Sequence, residues 1–494
     1  MGHKQKKIDD FKIGDFISFD KKFSLSEFEA FSKISGDQNP LHHNEDYGKA
    51  SEFGQTIVPV HMTSAPLSAI AGMYLPGIPS LYLRHEVNAL KPVYYDESLT
   101  YSAKISDISY ASRLLKLSVI AFNPKTLEVK LEANMSVQSR EDSWEFLYEE
   151  NSAIRTPQKT ALITGASGEI ASAIAMHYAR KGWGVILSYR TENDRVKRVK
   201  DYCTEKGLFF DVITGDLADE KTYVSIAKEV NSCGGLYRII HAACPPIYAK
   251  ASQHLDINFT ALKRLSDALI PHFLQQQTGG IVLIGSTATE NCPAGWEPYA
   301  AGKSAGMNLL KQYRKRYGKY GVEFKTFSPG MVKTKFSSDY HDARVHAALP
   351  EEVAAKLFET IEGGLQNDHI IYENAELYFS GHETDLSTNV SVTSVDNVYQ
   401  NESLDELVVE SAIKRSDVSE KLTKVMGPLL KLNSVEDIRS SRLGGTPGWD
   451  SLRHIELILD IERAFGVRFS SSEMSRTHSF KALEAKVSEK CRTA

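Results

Sequence analysis

Residues Ala161 to Ala171 read ALITGASGEIA, a short apolar run, a glycine-rich turn and the opening of a helix. A strand feeding a helix through such a turn is where a dinucleotide pyrophosphate meets the helix N-terminus. Any tight strand-to-helix connection can use the same turn, so the turn alone leaves both readings open. From Lys159 to about Phe379 further short apolar runs alternate with amphipathic helices: Val185 to Tyr189, Phe209 to Thr214, Ile239 to Ala243, Ile281 to Gly285 and Glu323 to Ser328. That alternation predicts a Rossmann-type, doubly wound parallel sheet.

Four polar residues follow in order, Asn258, Ser286, Tyr299 and Lys303, the last two within YAAGK. Tyr299 and Lys303 lie one helical turn apart and share a face, so the ammonium is placed to lower the phenol's pKa. A phenol so tuned can protonate a developing alkoxide. Ser286, at a strand end, can hydrogen-bond the same oxygen, and Asn258 can hold a water that resupplies the lysine. A tyrosine on a helix is more often packing; the complete set favours chemistry.

This segment resembles the short-chain dehydrogenase/reductase family, especially its ketoreductases. The resemblance implies that Tyr299, Lys303, Ser286 and Asn258 carry those catalytic roles. It implies a nicotinamide dinucleotide held by Thr164, Gly165, Ser167, Gly168, Ile170, Leu217 and Ala243, with Asp216 at the adenine and Pro329, Gly330 and Thr334 closing over the nicotinamide half. Two departures stand out: Glu169 and Ala171 replace fingerprint glycines, and HAAC at His241 to Cys244 replaces the usual Asn-Asn-Ala-Gly. Tyr189 stands where NAD-using relatives carry an acid, and Arg190 follows it, a guanidinium suited to a 2′-phosphate. NADPH is therefore the expected cofactor.

Upstream, Phe31 to His42 reads FSKISGDQNPLH, with Asp37 and His42 five residues apart on a segment turned by Gly36 and Pro40. Such a pair can sit on one side of a water molecule, one group taking a proton and the other supplying it. A bare spacing of this kind equally describes an Asx turn and a surface histidine. Pro59 to Met73 is apolar nearly all round and predicts a helix wrapped by a sheet; Leu99 to Ile105, Leu114 to Ala121 and Leu127 to Val137 alternate as antiparallel strands. The string GDQNPLHHN, together with FGQTIVPVHM and LKPVYYDESL, resembles the MaoC-type, R-specific enoyl thioester hydratases and dehydratases of the hot-dog fold. The resemblance assigns catalysis to Asp37 and His42, gives Asn39 a supporting place and His43 none. Val60 replaces the family's usual glycine at the start of the central helix.

At the other end, Gly448 to Glu456 reads GWDSLRHIE, followed by LILDIERAFGVRF. An Asp-Ser pair at a helix start is commonly just a cap. The whole tail nevertheless resembles acyl carrier proteins, which implies 4′-phosphopantetheine esterified to Ser451, attached by a phosphopantetheinyl transferase. Glu456, Asp460 and Glu462 on that helix suit charge-guided docking.

The expected organisation is a multidomain α/β and α+β chain: a hot-dog domain at 8–142, a short-chain dehydrogenase/reductase domain at 157–380, a polar linker at 381–407 and a four-helix acyl carrier domain at 408–494. Lys plus Arg total 58 against 63 Asp plus Glu, which disfavours a nucleic acid partner. Five scattered cysteines show no metal-ligand or disulfide spacing, consistent with a reducing cytoplasm and no metal. No apolar run reaches membrane-spanning length. The leading expectation is reduction of a 3-oxoacyl thioester with NADPH, then dehydration to a 2-enoyl thioester. A separate ketosynthase or acyl-loading enzyme would supply the chain, and a homo-oligomer is expected by analogy. The alternatives are a degradative enoyl-CoA hydratase and 3-hydroxyacyl dehydrogenase, or a carrier with a non-catalytic reductase-like scaffold.

Overall fold

A computed structural model describes residues 7–140, 154–232, 235–338, 347–365, 367–380 and, with breaks at 433, 448, 450 and 475, 415–493. The expected linker at 381–407 lies outside these residues. The chain divides into two compact units, Met1–Arg155 with Asn397–Ala494, and Thr156–Asp396.

In the first unit, β1 (Phe16–Lys21), β2 (Ser80–Ala89), β3 (Leu99–Ser109), β4 (Leu114–Phe122) and β5 (Val129–Ser139) form an antiparallel sheet in the order β1-β3-β4-β5-β2. Strands β3 to β5 send alternate residues into one core as expected, but most of the residues between them are buried as well, so burial itself does not alternate. Leu115, Leu117, Val119, Met135 and Val137 face Met62, Leu67, Ile70 and Ala71 of the central helix in one core. Each such side chain contributes roughly 1.5–3 kcal/mol by leaving water. The central helix runs in three consecutive pieces, Val60–Ser64, Pro66–Ala69 and a π-turn at Ile70–Tyr74. Pro66 divides it because the ring has no N–H to donate and crowds the preceding turn.

One expectation needs correcting. The helix is not enclosed: His61, Ala65, Ser68 and Met73 stay exposed, because a single sheet covers only one side. Strands β1 and β2 were not anticipated. β2 is an edge strand half exposed along both faces, which erases the alternation that would announce it.

The C-terminal residues of this unit fold as the helices Arg415–Leu430, Val435–Ser440, Ser451–Phe465, Ser471–Met474 and Phe480–Thr493. Leu422, Met426, Leu457, Ile461, Leu483 and Val487 form their core, which also takes in Ala111 from the β3–β4 turn.

The second unit holds an eight-stranded sheet: β6 (Thr160–Thr164), β7 (Gly184–Tyr189), β8 (Phe210–Thr214), β9 (Arg238–His241), β10 (Gly280–Ile284), β11 (Glu323–Pro329), β12 (His369–Glu373) and β13 (Glu376–Ser380). The order is β13-β12-β11-β10-β9-β6-β7-β8, parallel except for the β12–β13 hairpin. Every residue of β6, β9 and β10 is buried, as runs sandwiched between two helical layers must be. Order reverses on either side of β6, which makes a crevice at the carboxyl ends of the strands. Among the described residues no helix is long and apolar enough to cross a membrane.

Candidate active sites

The crevice is real. Gly165, Arg190, Gly215, Ala242, Gly285 and Gly330 each stand one residue past the end of β6 to β11, and all line one cleft of about 1090 Å³. Ser167, Gly168, Ile170, Asp216, Leu217, Ala243, Ser286, Tyr299, Lys303, Pro329 and Thr334 line it too. Thr164 and Asn258 lie behind its wall, each fully buried.

Gly165 is required twice over. Its φ is +68°, and a Cβ there would come within 2.7 Å of the Ala243 Cα. The Tyr299 helix, Glu297–Tyr317, also packs close: a Cβ at Gly302 would meet His254 and one at Gly306 the Asn258 carbonyl at 2.5 Å. Asn258 sits on a π-turn, Asp256–Ala261, and its Nδ2 donates to the His254 carbonyl at 3.1 Å. Its buried Oδ1 has no partner among the described residues, which leaves an acceptor available for a water.

Tyr299 is 7% exposed, shares the cleft lining with Ser286 and is boxed by His254, Trp296 and Phe336. Here the expected effect of Lys303 is corrected. Burial pushes the phenol well above its ordinary value, and neighbouring Cys244 adds to the rise; only Ser286 opposes it. The Lys303 ammonium lies 6.0 Å from the ring centroid and donates to the Ile284 carbonyl at 2.8 Å, too far and too occupied to offset desolvation. Tyr299 therefore keeps its proton through the neutral range.

The HAAC departure has a structural content that its spacing did not reveal. His241 Nε2–H donates to the Ile257 carbonyl at 3.1 Å, and Nδ1 accepts from the Thr164 hydroxyl at 3.1 Å. The same hydroxyl accepts from the Ala242 and Ala243 amides at 3.2 and 3.3 Å. This chain ties the end of β6 to the turn carrying Asn258 and needs a neutral imidazole, whose pKa burial pushes down to about 3. The unfolded chain takes up a proton near pH 6.5 and the folded one does not, so stability falls with acidification across that window, by up to roughly 1.4 kcal/mol per pH unit. Urea denaturation followed by tryptophan fluorescence at pH 6.5 and 5 should show this loss, and His241→Asn should reduce it.

Glu169 does not stand bare at the helix start. Its carboxylate accepts from the Lys335 amide at 2.7 Å and pairs with Arg195 at 3.8 Å, while Arg195 also donates to the Ser167 carbonyl at 2.9 Å. Arg195 is a second guanidinium in the cleft, five residues beyond Arg190 and overlooked in the sequence. Arg190 is largely exposed, 3.5 Å from Asp216. A dinucleotide fits these residues: the cleft is large enough, Gly165 permits close backbone approach, and the charge of Glu169 is already countered.

In the first unit, Asp37 and His42 come together as the spacing anticipated. His42 Nε2 is 3.8 Å from Asp37 Oδ2, too long for a hydrogen bond and open to a shared water or hydroxyl. His42 Nδ1 meets the Ile57 carbonyl at 2.8 Å; a carbonyl only accepts, so Nδ1 carries a hydrogen and Nε2 is the nitrogen that faces Asp37. Asn39 donates its amide to Asp37 Oδ1 at 3.0 Å and caps the Pro40–His42 turn through its side chain. Tyr95, unanticipated, donates its hydroxyl to the His42 carbonyl at 2.8 Å; burial and the nearby Asp37 charge push its pKa up. His43 instead stacks on Phe28. Val60 opens the central helix, three residues after Ile57, and the first amide bonded back within it is Met62. The amides of Val60 and His61 precede it and are available to polarise a carbonyl.

Ser451 is the first residue of its helix. Asp450 lies outside the described residues, as does the Ser451 side chain. Trp449 before it donates to His454 Nδ1 at 3.3 Å, and His454 Nε2–H donates to the Met474 carbonyl at 3.1 Å, which fixes the approach to the helix.

Comparison with known proteins matches the short chain dehydrogenase family over residues 159–344 and the MaoC like domain family over residues 13–117. The chain carries a MaoC-like domain and a short-chain dehydrogenase domain. Within the latter it is 27% identical over 193 residues to dehydrogenase/reductase SDR family member 4 of Oryctolagus cuniculus, covering 36% of this chain and 72% of that protein. It is 30% identical over 193 residues to the very-long-chain 3-oxoacyl-CoA reductase let-767 of Caenorhabditis elegans, covering 36% of this chain and only 60% of that protein. A 3-oxoacyl (acyl-carrier-protein) reductase of Agrobacterium tumefaciens C58, solved with NADP bound, is 23% identical with a TM-score of 0.38, covering 41% of this chain and 87% of that one.

Proposed function

We propose that the short-chain dehydrogenase domain reduces a 3-oxoacyl thioester with NADPH, that the MaoC-like domain dehydrates the resulting 3-hydroxyacyl thioester, and that Ser451 carries the acyl group on 4′-phosphopantetheine. The observation that carries the reading is the meeting of Ser286, Tyr299 and Lys303 in one cleft, with Asn258 directly behind. The name of the nematode relative supports a 3-oxoacyl substrate, and the MaoC-like domain acts on the carbon pair that such a reduction prepares.

Bound in the cleft, NADPH would supply hydride to the third carbon. Tyr299, protonated at neutral pH, donates its proton to the developing alkoxide while Ser286 hydrogen-bonds the same oxygen. Lys303 and a water on Asn258 Oδ1 return the proton. In the MaoC-like domain His42 Nε2 takes the proton from the second carbon and passes it to the departing hydroxyl, which leaves as water, while Asp37 accepts a hydrogen bond from that hydroxyl and holds it in place. The amides at the start of the central helix stabilise the charge that gathers on the thioester oxygen.

Arg190, largely exposed in the cleft lining with Arg195 nearby, supports a choice of NADPH through its 2′-phosphate. Arg190→Ala should raise the KM for NADPH by roughly tenfold or more, the loss of one charged hydrogen bond, and leave that for NADH nearly unchanged; equal effects on both would remove Arg190 from cofactor choice. The reading as a whole is tested by adding a pantetheine arm to the intact chain, loading a 3-oxoacyl group, supplying NADPH and following the attached mass.

A further inference from the structure

We infer that the outer face of the hot-dog sheet is a holding site for the helix Ser451–Phe465, from which that helix must part before Ser451 can deliver its load. The inference rests on the carrier reading of Ser451 proposed above.

Register places Asp107 opposite Lys116, Lys116 opposite Ser136, and Ser136 opposite Arg84, a single row crossing β3, β4, β5 and β2. On the helix, Glu456, Asp460 and Arg463 stand at spacings of four and three, one face. The two rows match charge for charge. Arg84 Nη1 binds Glu456 Oε1 at 2.9 Å, Lys116 Nζ binds Asp460 Oδ1 at 3.1 Å, and Arg463 pairs with Asp107. The last pair reverses the sign of the other two, so sliding the helix by one turn would set like charges together. Arg468 also lies over the Tyr110 ring at 4.6 Å, and Ala111 is buried in the helical core. Glu456 is 6% exposed and Leu459 on the same face 1%, so the contact is closed rather than glancing.

This face is the wrong one for catalysis. Leu115 and Leu117, which flank Lys116, pack on the central helix, and Met135 and Val137 flank Ser136 in the same way. The row therefore lies across the sheet from the central helix, whereas Phe28 beside His42 belongs to the core on the helix side. A helix seated here has its acidic stripe occupied and is held on the far side of the sheet from Asp37 and His42.

The test uses the full chain. A zero-length carbodiimide should couple Lys116 to Asp460, and about 0.5 M salt should suppress the product by screening. Next, Arg84→Glu with Lys116→Glu should speed single-turnover dehydration of a 3-hydroxyacyl group carried on Ser451 by roughly three- to tenfold, the scale of two partly exposed pairs. Dehydration of the same acyl group on free CoA should stay unchanged. Adding Glu456→Arg and Asp460→Lys should restore the slow rate. Absence of the Lys116–Asp460 product, or a tethered rate that stays the same or falls in the reversed variant, would overturn the holding site. Intact mass showing no pantetheine on Ser451 would remove the carrier reading instead, and the cross-link still judges the contact.

Discussion

Tyr299→Phe is expected to cut NADPH-dependent reduction of a 3-oxoacyl thioester by roughly 10²- to 10⁴-fold, the usual worth of a positioned general acid. The ring keeps its edge contacts with His254 and Trp296, so the fold and the cleft should survive. Dinucleotide binding, followed by the change in NADPH fluorescence, should persist because no proposed contact to the cofactor is lost. The raised pKa of Tyr299 also sets the pH profile. The acid form persists well into the alkaline range, so the reduction rate should not fall for want of this proton near neutrality. A phenylalanine variant that reduces at the normal rate would hand the proton transfer to another group.

Asp37→Asn is expected to stop the sequence at the alcohol, with dehydration down roughly 10²- to 10⁴-fold and ketoreduction intact. Asparagine still accepts the Asn39 amide that shapes the turn, so only the charge is lost. His42→Gln should act similarly on dehydration, since it removes the ring nitrogen that the bond to the Ile57 carbonyl turns toward Asp37. Separate loss of the two steps in separate variants is what two independent sites require. Loss of reduction in Asp37→Asn would mean that the turn supports more than its own reaction.

Much of this was legible where chemistry and secondary structure share a short stretch of chain. Tyr299 and Lys303 lie on one helix, Asp37 and His42 on one turn, and the glycine-rich turn follows directly on β6, so local periodicity placed them. What escaped was set by contacts distant in sequence. Glu169 looked unwelcome because its partner, the Lys335 amide, is 166 residues away. Tyr95 reaches His42 across 53 residues, and His241 links Thr164 to Ile257 with no motif to announce it. The fall in the Tyr299 pKa expected from Lys303 failed for a related reason: helical spacing sets a distance along one face but says nothing of how completely the hydroxyl is buried.

The most direct measurement is the mass of the acyl group on Ser451 after addition of NADPH to chain loaded with a 3-oxoacyl thioester. The account predicts a gain of two hydrogens followed by loss of one water, with Tyr299→Phe remaining at the ketone and Asp37→Asn at the alcohol. An enoyl product from both variants, or a wild-type chain whose ketone never changes mass, would contradict it.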